Sequence, residues 1–203
     1  MNQSAQIRRD AASLVKRDQR FSGSDPTGLV IDVWGSGFGP LVHLILGQQV
    51  SIEAADAMYS NLEQRVGVVT PESLLRLDDQ TLQHCGFTRM KAEYARGLAN
   101  SELSGASVDR LDELPDSEVV DALVSIRGIG QWTAECYLLF CLGRRDVFPA
   151  GDLALRIGYQ ELVGAPARPS ESELGAAAEQ WAPMRTAAAY LVWQGYLEKR
   201  GRA

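Results

Sequence analysis

Residues 121–156, DALVSIRGIGQWTAECYLLFCLGRRDVFPAGDLALR, hold the strongest structural signal in this chain. Two apolar segments of helical periodicity flank the glycines Gly128 and Gly130, which enclose Ile129. Glycine adopts backbone angles that other residues avoid and allows another molecule to approach closely. The pattern predicts a helical hairpin that buries Ile129 and whose second helix covers residues 131–142, with exposed N–H groups at its start.

Phosphate binding is one use that such a hairpin allows, because N–H groups at a helix N-terminus attract anions. A G-x-G sequence alone more often marks a plain connection between two helices. Pro149 and Asp152 follow shortly afterwards, at the predicted start of another helix. A helix N-terminus stabilises a carboxylate in its ionised form, although an aspartate in this position often serves merely as a helix cap.

Apolar residues recur at helical spacing along nearly the whole chain, and no segment shows the alternation of a β-strand. The sequence therefore predicts an all-α protein of about ten short helices. Ser51, Thr70 and Asp78 are predicted to cap helices, and so is either Asp116 or Ser117.

The composition is that of an ordinary globular protein. Its 203 residues are 45% hydrophobic and 23% charged, enough for one large domain or two small lobes. The formal net charge of −6 argues against a protein that grips nucleic acid through bulk positive charge. DNA binding would then depend on helix N-termini, loop amides and a few arginines.

Neither a membrane span nor a disulfide-rich secreted fold is indicated. No apolar run approaches the length of a transmembrane helix, and the polar first residues lack the apolar core of a signal peptide. The three cysteines, Cys85, Cys136 and Cys141, lack metal-ligand spacing and fit buried thiols in a reducing cytoplasm. We therefore expect a cytoplasmic protein with no membrane partner.

The order of these features resembles the helix–hairpin–helix DNA glycosylase superfamily. The segments IRGIGQWTA (126–134) and DVFPAGDLALR (146–156) look most like its 3-methyladenine DNA glycosylase II branch, as does LILGQQVS (44–51). The resemblance extends over about residues 38–198. It implies two helical lobes with the helix–hairpin–helix motif at the DNA cleft between them. The lobes it implies are a central one, residues 40–143, and a terminal one, residues 1–39 plus 144–203.

The roles of the family's DNA-anchoring and catalytic residues can be assigned to positions of this sequence. The resemblance implies a DNA-phosphate site at the hairpin amides, formed by Arg127, Gly128, Ile129 and Gly130. It also implies a monovalent cation, Na⁺ or K⁺, on the carbonyls of Arg127 and Ile129. The family's catalytic carboxylate aligns with Asp152.

Two departures from the family pattern restrict the chemistry. Lyase members carry a lysine nucleophile where this chain has Trp132, and an indole cannot form a Schiff base. Members with an iron–sulfur cluster carry its cysteines near the C-terminus, but no cysteine follows Cys141. We expect a monofunctional glycosylase without AP-lyase activity and without an iron–sulfur cluster.

An extruded base needs a flat pocket, and Trp132 and Trp193 align with the family's pocket aromatics. Leu153 and Cys136 stand where a relative has aromatic residues, so we expect a wider or less aromatic pocket here. Either tryptophan could instead be an ordinary core residue.

Gln48 and Gln49 align with the position at which relatives fill the gap left by the flipped base or touch the opposite strand. A polar wedge can hydrogen-bond the orphan base, although it stacks less well than a leucine. The alternative is a pair of solvent-exposed glutamines at a helix end.

These residues fit cleavage of an N-glycosidic bond by a single carboxylate. The reaction builds positive charge on the sugar, which an ionised Asp152 can stabilise. A purine alkylated at N3 or N7 is already cationic and leaves without a second acid. The sequence therefore predicts excision of lesions of the 3-methyladenine and 7-methylguanine type. The partner is double-stranded DNA containing a damaged base, and the enzyme is expected to be a monomer, nucleoid-associated in a bacterium.

Three alternatives stay open. The glycosylase could be specific for neutral bases, such as oxidised guanine, mismatched thymine or uracil, which demand more hydrogen bonding in the pocket. The hairpin could belong to a non-catalytic module that binds damaged DNA. An unrelated helical interaction protein would fit the acidic charge but would leave the hairpin, Pro149 and Asp152 unexplained.

Overall fold

The computed structural model describes residues 2–105, 108 and 110–202. Those residues form helices joined by turns and loops and contain no β-strand, which confirms the predicted all-α fold. None of their helices is both long enough and apolar enough to cross a membrane. The eleven α-helices found in them are α1 (Gln3–Arg17), α2 (Phe38–Gly47), α3 (Ile52–Val66), α4 (Pro71–Leu75), α5 (Asp79–His84), α6 (Arg89–Leu103), α7 (Asp116–Val124), α8 (Gln131–Cys136), α9 (Leu153–Val163), α10 (Glu171–Ala178) and α11 (Arg185–Glu198).

The helices group into two compact units. The central unit is residues 34–137, and the terminal unit combines residues 2–33 with residues 138–202. The boundaries expected from the sequence, 39/40 and 143/144, lie several residues further along the chain.

Ring packing inside each unit explains where these boundaries fall. Trp34 stacks on His43 of α2, with ring centroids 4.5 Å apart, and so belongs to the central unit. Phe140 stacks on Trp193 of α11, with centroids 5.4 Å apart, and so belongs to the terminal unit. Neither pairing can be read from the local sequence.

Helix α2 forms the centre of the central unit. Its sequence, FGPLVHLILG, is apolar on nearly every side, and most of its residues are buried. Helices α3, α6 and α8 pack around it, while α4 and α5 pack on α6 and α7 packs on α8. A helix that is apolar all round must be covered all round, so the composition of α2 determines its central place.

Helix α11 has the corresponding place in the terminal unit, where α1 and α9 pack on it. Beside it, Trp181 is buried and its indole N–H donates to Asp18 at 2.9 Å. Three further rings surround this tryptophan with centroids 5.5–6.0 Å away, those of Phe21, Phe148 and Tyr159. Trp181 is therefore a core residue.

The predicted caps at Ser51, Thr70 and Asp78 are confirmed. Each side chain accepts a hydrogen bond from the backbone N–H three residues later, at the start of α3, α4 and α5. Such caps can be predicted because both partners lie within one turn of the chain.

The cap predicted for α7 at Asp116 or Ser117 is wrong. Both residues are already helical, and Pro115 precedes them with φ at −59°. Proline has a φ preset for a helix start, and the acidic first turn of α7 interacts favourably with the helix dipole. Helix α7 therefore begins after Pro115, which supplies no side-chain cap.

The second helix of the hairpin does not run without interruption to residue 142. Helix α8 ends at Cys136 and continues as a π-helical turn, Tyr137–Cys141. The N–H of Arg144 donates to the carbonyl of Leu138 at 2.9 Å, and Gly143 has a φ of 59°, which glycine adopts readily. A glycine-terminated π-turn thus ends the helix earlier than its apolar pattern predicts.

Candidate active site and DNA-binding hairpin

Asp152 caps the N-terminus of α9. Its backbone N–H donates to the carbonyl of Pro149 at 2.9 Å, which closes the turn before the helix. Its carboxylate Oδ1 accepts from the N–H of Leu155 at 2.9 Å and from the indole Nε1–H of Trp193 at 3.1 Å. The half-buried carboxylate therefore has a fixed orientation at the positive end of the helix dipole.

Trp193 lies in an aromatic cluster inside the terminal unit. Its ring stacks on Phe140 at an interplanar angle of 21°, and Tyr190 meets it edge-on with centroids 5.9 Å apart. Leu153, directly after Asp152, is 55% exposed. The carboxylate is thereby joined to flat aromatic rings, the kind of surface that binds an extruded base.

Sequence reasoning placed Trp193 in the pocket wall but missed its N–H as a donor to Asp152. It also missed Phe140 and Tyr190, because both lie in apolar helical runs that look like ordinary core. The signal available in the sequence was the i, i+3 spacing of Tyr190 and Trp193, which puts both rings on one face of α11.

The other two predicted pocket residues, Trp132 and Cys136, lie in the central unit on α8. Trp132 is half-buried and Cys136 is buried. Their i, i+4 spacing puts them on one face of α8. Asp152, Leu153 and Trp193 belong to the terminal unit, and the assembly of all these residues into one base pocket stays a prediction.

The hairpin has the conformation that its glycines predict. Gly128 has a φ of 93°, and a Cβ there would lie 2.2 Å from the ring of Tyr94. Ile129 is buried, as predicted, and its N–H donates to the carbonyl of Ile126 at 3.0 Å. Gly130 is the N-cap of α8 and, having no side chain, supplies no side-chain cap to the first turn of that helix.

The two glutamines expected to contact DNA have different environments. Gln48 is the C-cap of α2, and its Nε2 donates to the carbonyl of Gly128 at 3.0 Å and to Thr133 Oγ1 at 3.2 Å. Gln49 is exposed and has a φ of 60°. Gln49 therefore has the exposure that a wedge needs, whereas the amide of Gln48 binds the hairpin itself.

A groove of about 700 Å³ lies between the turn at Gln49, the start of α6 and the hairpin. Arg89 and Arg127 border it, and their side chains are 95% and 86% exposed. Each lies near Glu93, at 3.4 Å and 3.9 Å. Because both guanidinium groups are exposed, each remains accessible to a second anion. The acidic protein thus places two exposed guanidinium groups beside its hairpin.

Lys91 is a buried residue of this region that sequence reasoning missed. Its Nζ donates to the carbonyl of Leu46, in the last turn of α2, at 2.6 Å. Burial lowers the pKa of the Lys91 ammonium. The lysine fixes the end of α2 from which the Gln49 turn departs.

The described parts of the chain contain no cluster of three or more His, Cys, Asp or Glu side chains that could hold a metal ion. The cation ligands implied by the resemblance are not side chains. They are the backbone carbonyl oxygens of Arg127 and Ile129, and hard cations bind oxygen ligands of this kind. The Gly128 carbonyl between them accepts from Gln48. A Na⁺ or K⁺ ion on Arg127 and Ile129 stays a prediction.

The family model described as "HhH-GPD superfamily base excision DNA repair protein" matches residues 42–184, which include the hairpin and Asp152. This chain belongs to that superfamily. It is 33% identical over 159 residues to DNA-3-methyladenine glycosylase 1 of Schizosaccharomyces pombe, an alignment that covers 76% of this chain and 70% of the relative. It is 28% identical over 185 residues to DNA-3-methyladenine glycosylase 2 of Escherichia coli K12, covering 84% and 62%.

Solved structures of HhH-GPD relatives have the same fold. The Schizosaccharomyces pombe 3-methyladenine DNA glycosylase, in complex with abasic DNA, matches with a TM-score of 0.77 at 27% identity over 96% of both chains. A DNA-3-methyladenine glycosidase from Bacillus halodurans matches with a TM-score of 0.75 at 32% identity, covering 95% of this chain and 91% of that one. The resemblance inferred from the hairpin and Asp152 motifs is confirmed.

Proposed function

We propose that this protein is a monofunctional DNA glycosylase that flips alkylated purines out of double-stranded DNA and hydrolyses their N-glycosidic bonds. The observation that carries the proposal is the Asp152 carboxylate, which accepts from the N–H groups of Leu155 and Trp193 and is joined through Trp193 to an aromatic cluster. Relatives named DNA-3-methyladenine glycosylases support the alkylated-base class.

The chemistry needs one carboxylate. As the bond between the base and the anomeric carbon breaks, its electron pair leaves with the base and positive charge develops on the sugar. An ionised Asp152 stabilises that charge and orients a water molecule, whose oxygen bonds the anomeric carbon and whose proton is released to solvent. A base alkylated at N3 or N7 starts as a cation and leaves neutral, so no second acid is required.

The aromatic residues supply recognition of the same positive charge. A cationic base stacked on an indole gains about 0.5–2 kcal/mol from cation–π attraction. Trp193, backed by Phe140, and Trp132 on α8 are the rings proposed for this role. Cys136 and Leu153 complete the proposed pocket wall with non-aromatic surface.

The hairpin is proposed to bind the DNA backbone. The N–H groups near Gly130, at the start of α8, would donate to a phosphate, and Arg127 would add a positive charge. A Na⁺ or K⁺ ion on the carbonyls of Arg127 and Ile129 would supply positive charge beside that phosphate. Gln49 would enter the gap left by the flipped base. The enzyme is proposed to act as a monomer.

The central experiment measures base release from DNA containing 3-methyladenine, 7-methylguanine, hypoxanthine or uracil, with wild type beside Asp152→Asn. We expect release of the methylated purines and a loss of roughly a hundredfold or more in the variant, since the charge disappears while the side chain keeps its shape. Binding to abasic-site DNA should persist. Asp78→Asn is the matched control, because Asp78 also caps a helix, but that helix is α5 in the central unit.

Each alternative predicts a different result. Release of only uracil or another neutral base would assign the enzyme to neutral lesions. Tight abasic-site binding with no release of any base, and no effect of Asp152→Asn, would indicate a non-catalytic module. Covalent trapping of the protein on DNA by borohydride would contradict the monofunctional assignment, because Trp132 offers no amine.

A further inference from the structure

The side chain of Gln48 connects two segments that are far apart in sequence. As the C-cap of α2, it directs its Nε2 to the Gly128 carbonyl at 3.0 Å and to Thr133 Oγ1 at 3.2 Å. The first acceptor is in the hairpin turn, and the second is a buried hydroxyl in α8. One amide group therefore ties the end of α2 both to the hairpin turn and to the first turn of α8.

Gln49, the next residue, is the exposed tip of the turn between α2 and α3 and has a φ of 60°. Its position relative to the hairpin depends on the residues that hold the end of α2. Lys91 donates to Leu46 in the last turn of α2, and Tyr94, one turn further along α6, packs on Gly128. Two side chains of α6 thus hold the end of α2 and the hairpin, and Gln48 links the end of α2 to the hairpin directly.

We infer that Gln48 is a positioning residue that holds the Gln49 tip and the DNA-anchoring hairpin at a fixed spacing, and that it does not itself contact DNA. The inference builds on the proposed glycosylase function, because a fixed spacing matters when the hairpin binds one strand while Gln49 enters the duplex. Groups that are already in place before binding do not have to be ordered during base flipping.

The donor chemistry provides a specific test. The Gly128 carbonyl oxygen can only accept, so the side chain at position 48 has to donate to it. In Gln48→Glu, a carboxylate of nearly the same shape faces the Gly128 carbonyl at neutral pH and cannot donate. Glutamate has an ordinary pKa of about 4.3, and a carbonyl neighbour favours its protonated form, which can donate again. Acid should therefore restore the link in this variant.

The experiment compares wild type, Gln48→Ala, Gln48→Glu and the control Gln83→Ala, which removes an exposed amide on α5. Single-turnover base release and affinity for abasic-site DNA are measured between about pH 7.5 and about pH 5. We expect Gln48→Ala to lose about tenfold in base release. Gln48→Glu should be similarly impaired at neutral pH, and its ratio to wild type should rise as the pH falls.

Hydrogen exchange in the DNA-free protein tests the link without reference to catalysis. Gln48→Ala should speed exchange at the hairpin amides and at the Gln49 turn, while helices of the terminal unit exchange as in wild type. If wild type releases no base but this local change occurs, the proposed function fails and the positioning role stands. If Gln48→Ala exchanges and acts like wild type, or if Gln48→Glu keeps a pH-independent ratio, the positioning role is overturned.

Discussion

At the residue scale, the orientation of one carboxylate depends on an indole. Asp152 Oδ1 accepts from the N–H of Leu155, as in many helix caps, and also from the Nε1–H of Trp193, which comes from a different helix. Trp193 therefore has two separable features, an N–H that orients the acid and a ring that stacks on Phe140. A substitution that keeps a ring and removes the donor distinguishes them.

We expect Trp193→Phe to lower the single-turnover rate of base release by about tenfold, because the Asp152 carboxylate loses the indole N–H that donates to it. Affinity for abasic-site DNA should change little, since a ring remains. Trp181→Phe is the control, because it also removes an indole donor, to Asp18, but inside the core. It should cost stability and not turnover, and equal losses of turnover in the two variants would contradict the role of Trp193.

A second residue-scale prediction concerns the hairpin glycines. Gly128→Ala should destabilise the protein by about 1–3 kcal/mol or more, because the position requires a φ of 93° and the methyl group would meet Tyr94. Gly130→Ala should unfold close to the wild-type midpoint, since its φ is −98° and open space surrounds its Cβ position. Urea denaturation measures both, and similar midpoints would show that the hairpin tolerates a side chain at Gly128.

At the element scale, most helix ends can be predicted from the sequence, and their attachments cannot. The cap of α3 at Ser51 depends on atoms within one turn of the chain. The C-terminal end of α2, by contrast, is held by Lys91 from α6, and nothing near Leu46 in sequence indicates it. The end of α8 also cannot be predicted from the local sequence, because the apolar pattern continues through the π-helical turn.

We expect Lys91→Met to destabilise the protein by about 1–3 kcal/mol, because the Leu46 carbonyl loses its donor. The difference from wild type should also depend on pH. Burial makes the pKa of Lys91 lower in the folded protein than its ordinary value of 10.5, so the folded state loses this proton first as the pH rises. The unfolded chain then binds more protons, and the free energy of unfolding of wild type rises relative to the variant.

Urea unfolding at about pH 8 and about pH 10 measures this difference. Lys16→Met, at an exposed position of α1, is the control and should show no comparable change with pH. A wild-type advantage that stays constant or shrinks towards pH 10 would contradict a lowered pKa at Lys91.

At the scale of the whole molecule, the net charge of −6 means that DNA must be bound through local features. The two exposed arginines beside the groove and the backbone N–H groups at the start of α8 are candidates for such features. Arg200, by contrast, pairs with Glu161 and lies over the ring of Tyr196. The affinity for DNA should therefore fall only moderately with salt, because few phosphate contacts are made.

We expect Arg127→Ala to weaken binding of abasic-site DNA and to reduce the slope of log affinity against log salt by about one. Preference among damaged bases should not change, because a phosphate contact carries no base information. Arg200→Ala should leave the slope unaltered. An unchanged slope for Arg127→Ala would exclude Arg127 from the phosphate contacts.

The hairpin, the candidate catalytic residue and most helix starts followed from the sequence, because glycine angles, caps and apolar periodicity act over a few residues. Ile129 was expected in the core and lies there, and Asp152 was expected at a helix start and caps one. The HhH-GPD assignment came from the order of these local features along the chain.

The partners of the site residues had to come from the fold. Trp193 reaches Asp152 across 41 residues, Gln48 reaches Gly128 across 80, and Lys91 reaches Leu46 across 45. Contacts of this kind depend on which helix faces meet after packing, and an indole, an amide or an ammonium has many rotamers that the local sequence does not distinguish. The chain's own pattern thus identified the candidate catalytic and hairpin residues, and helix packing determined which groups orient them.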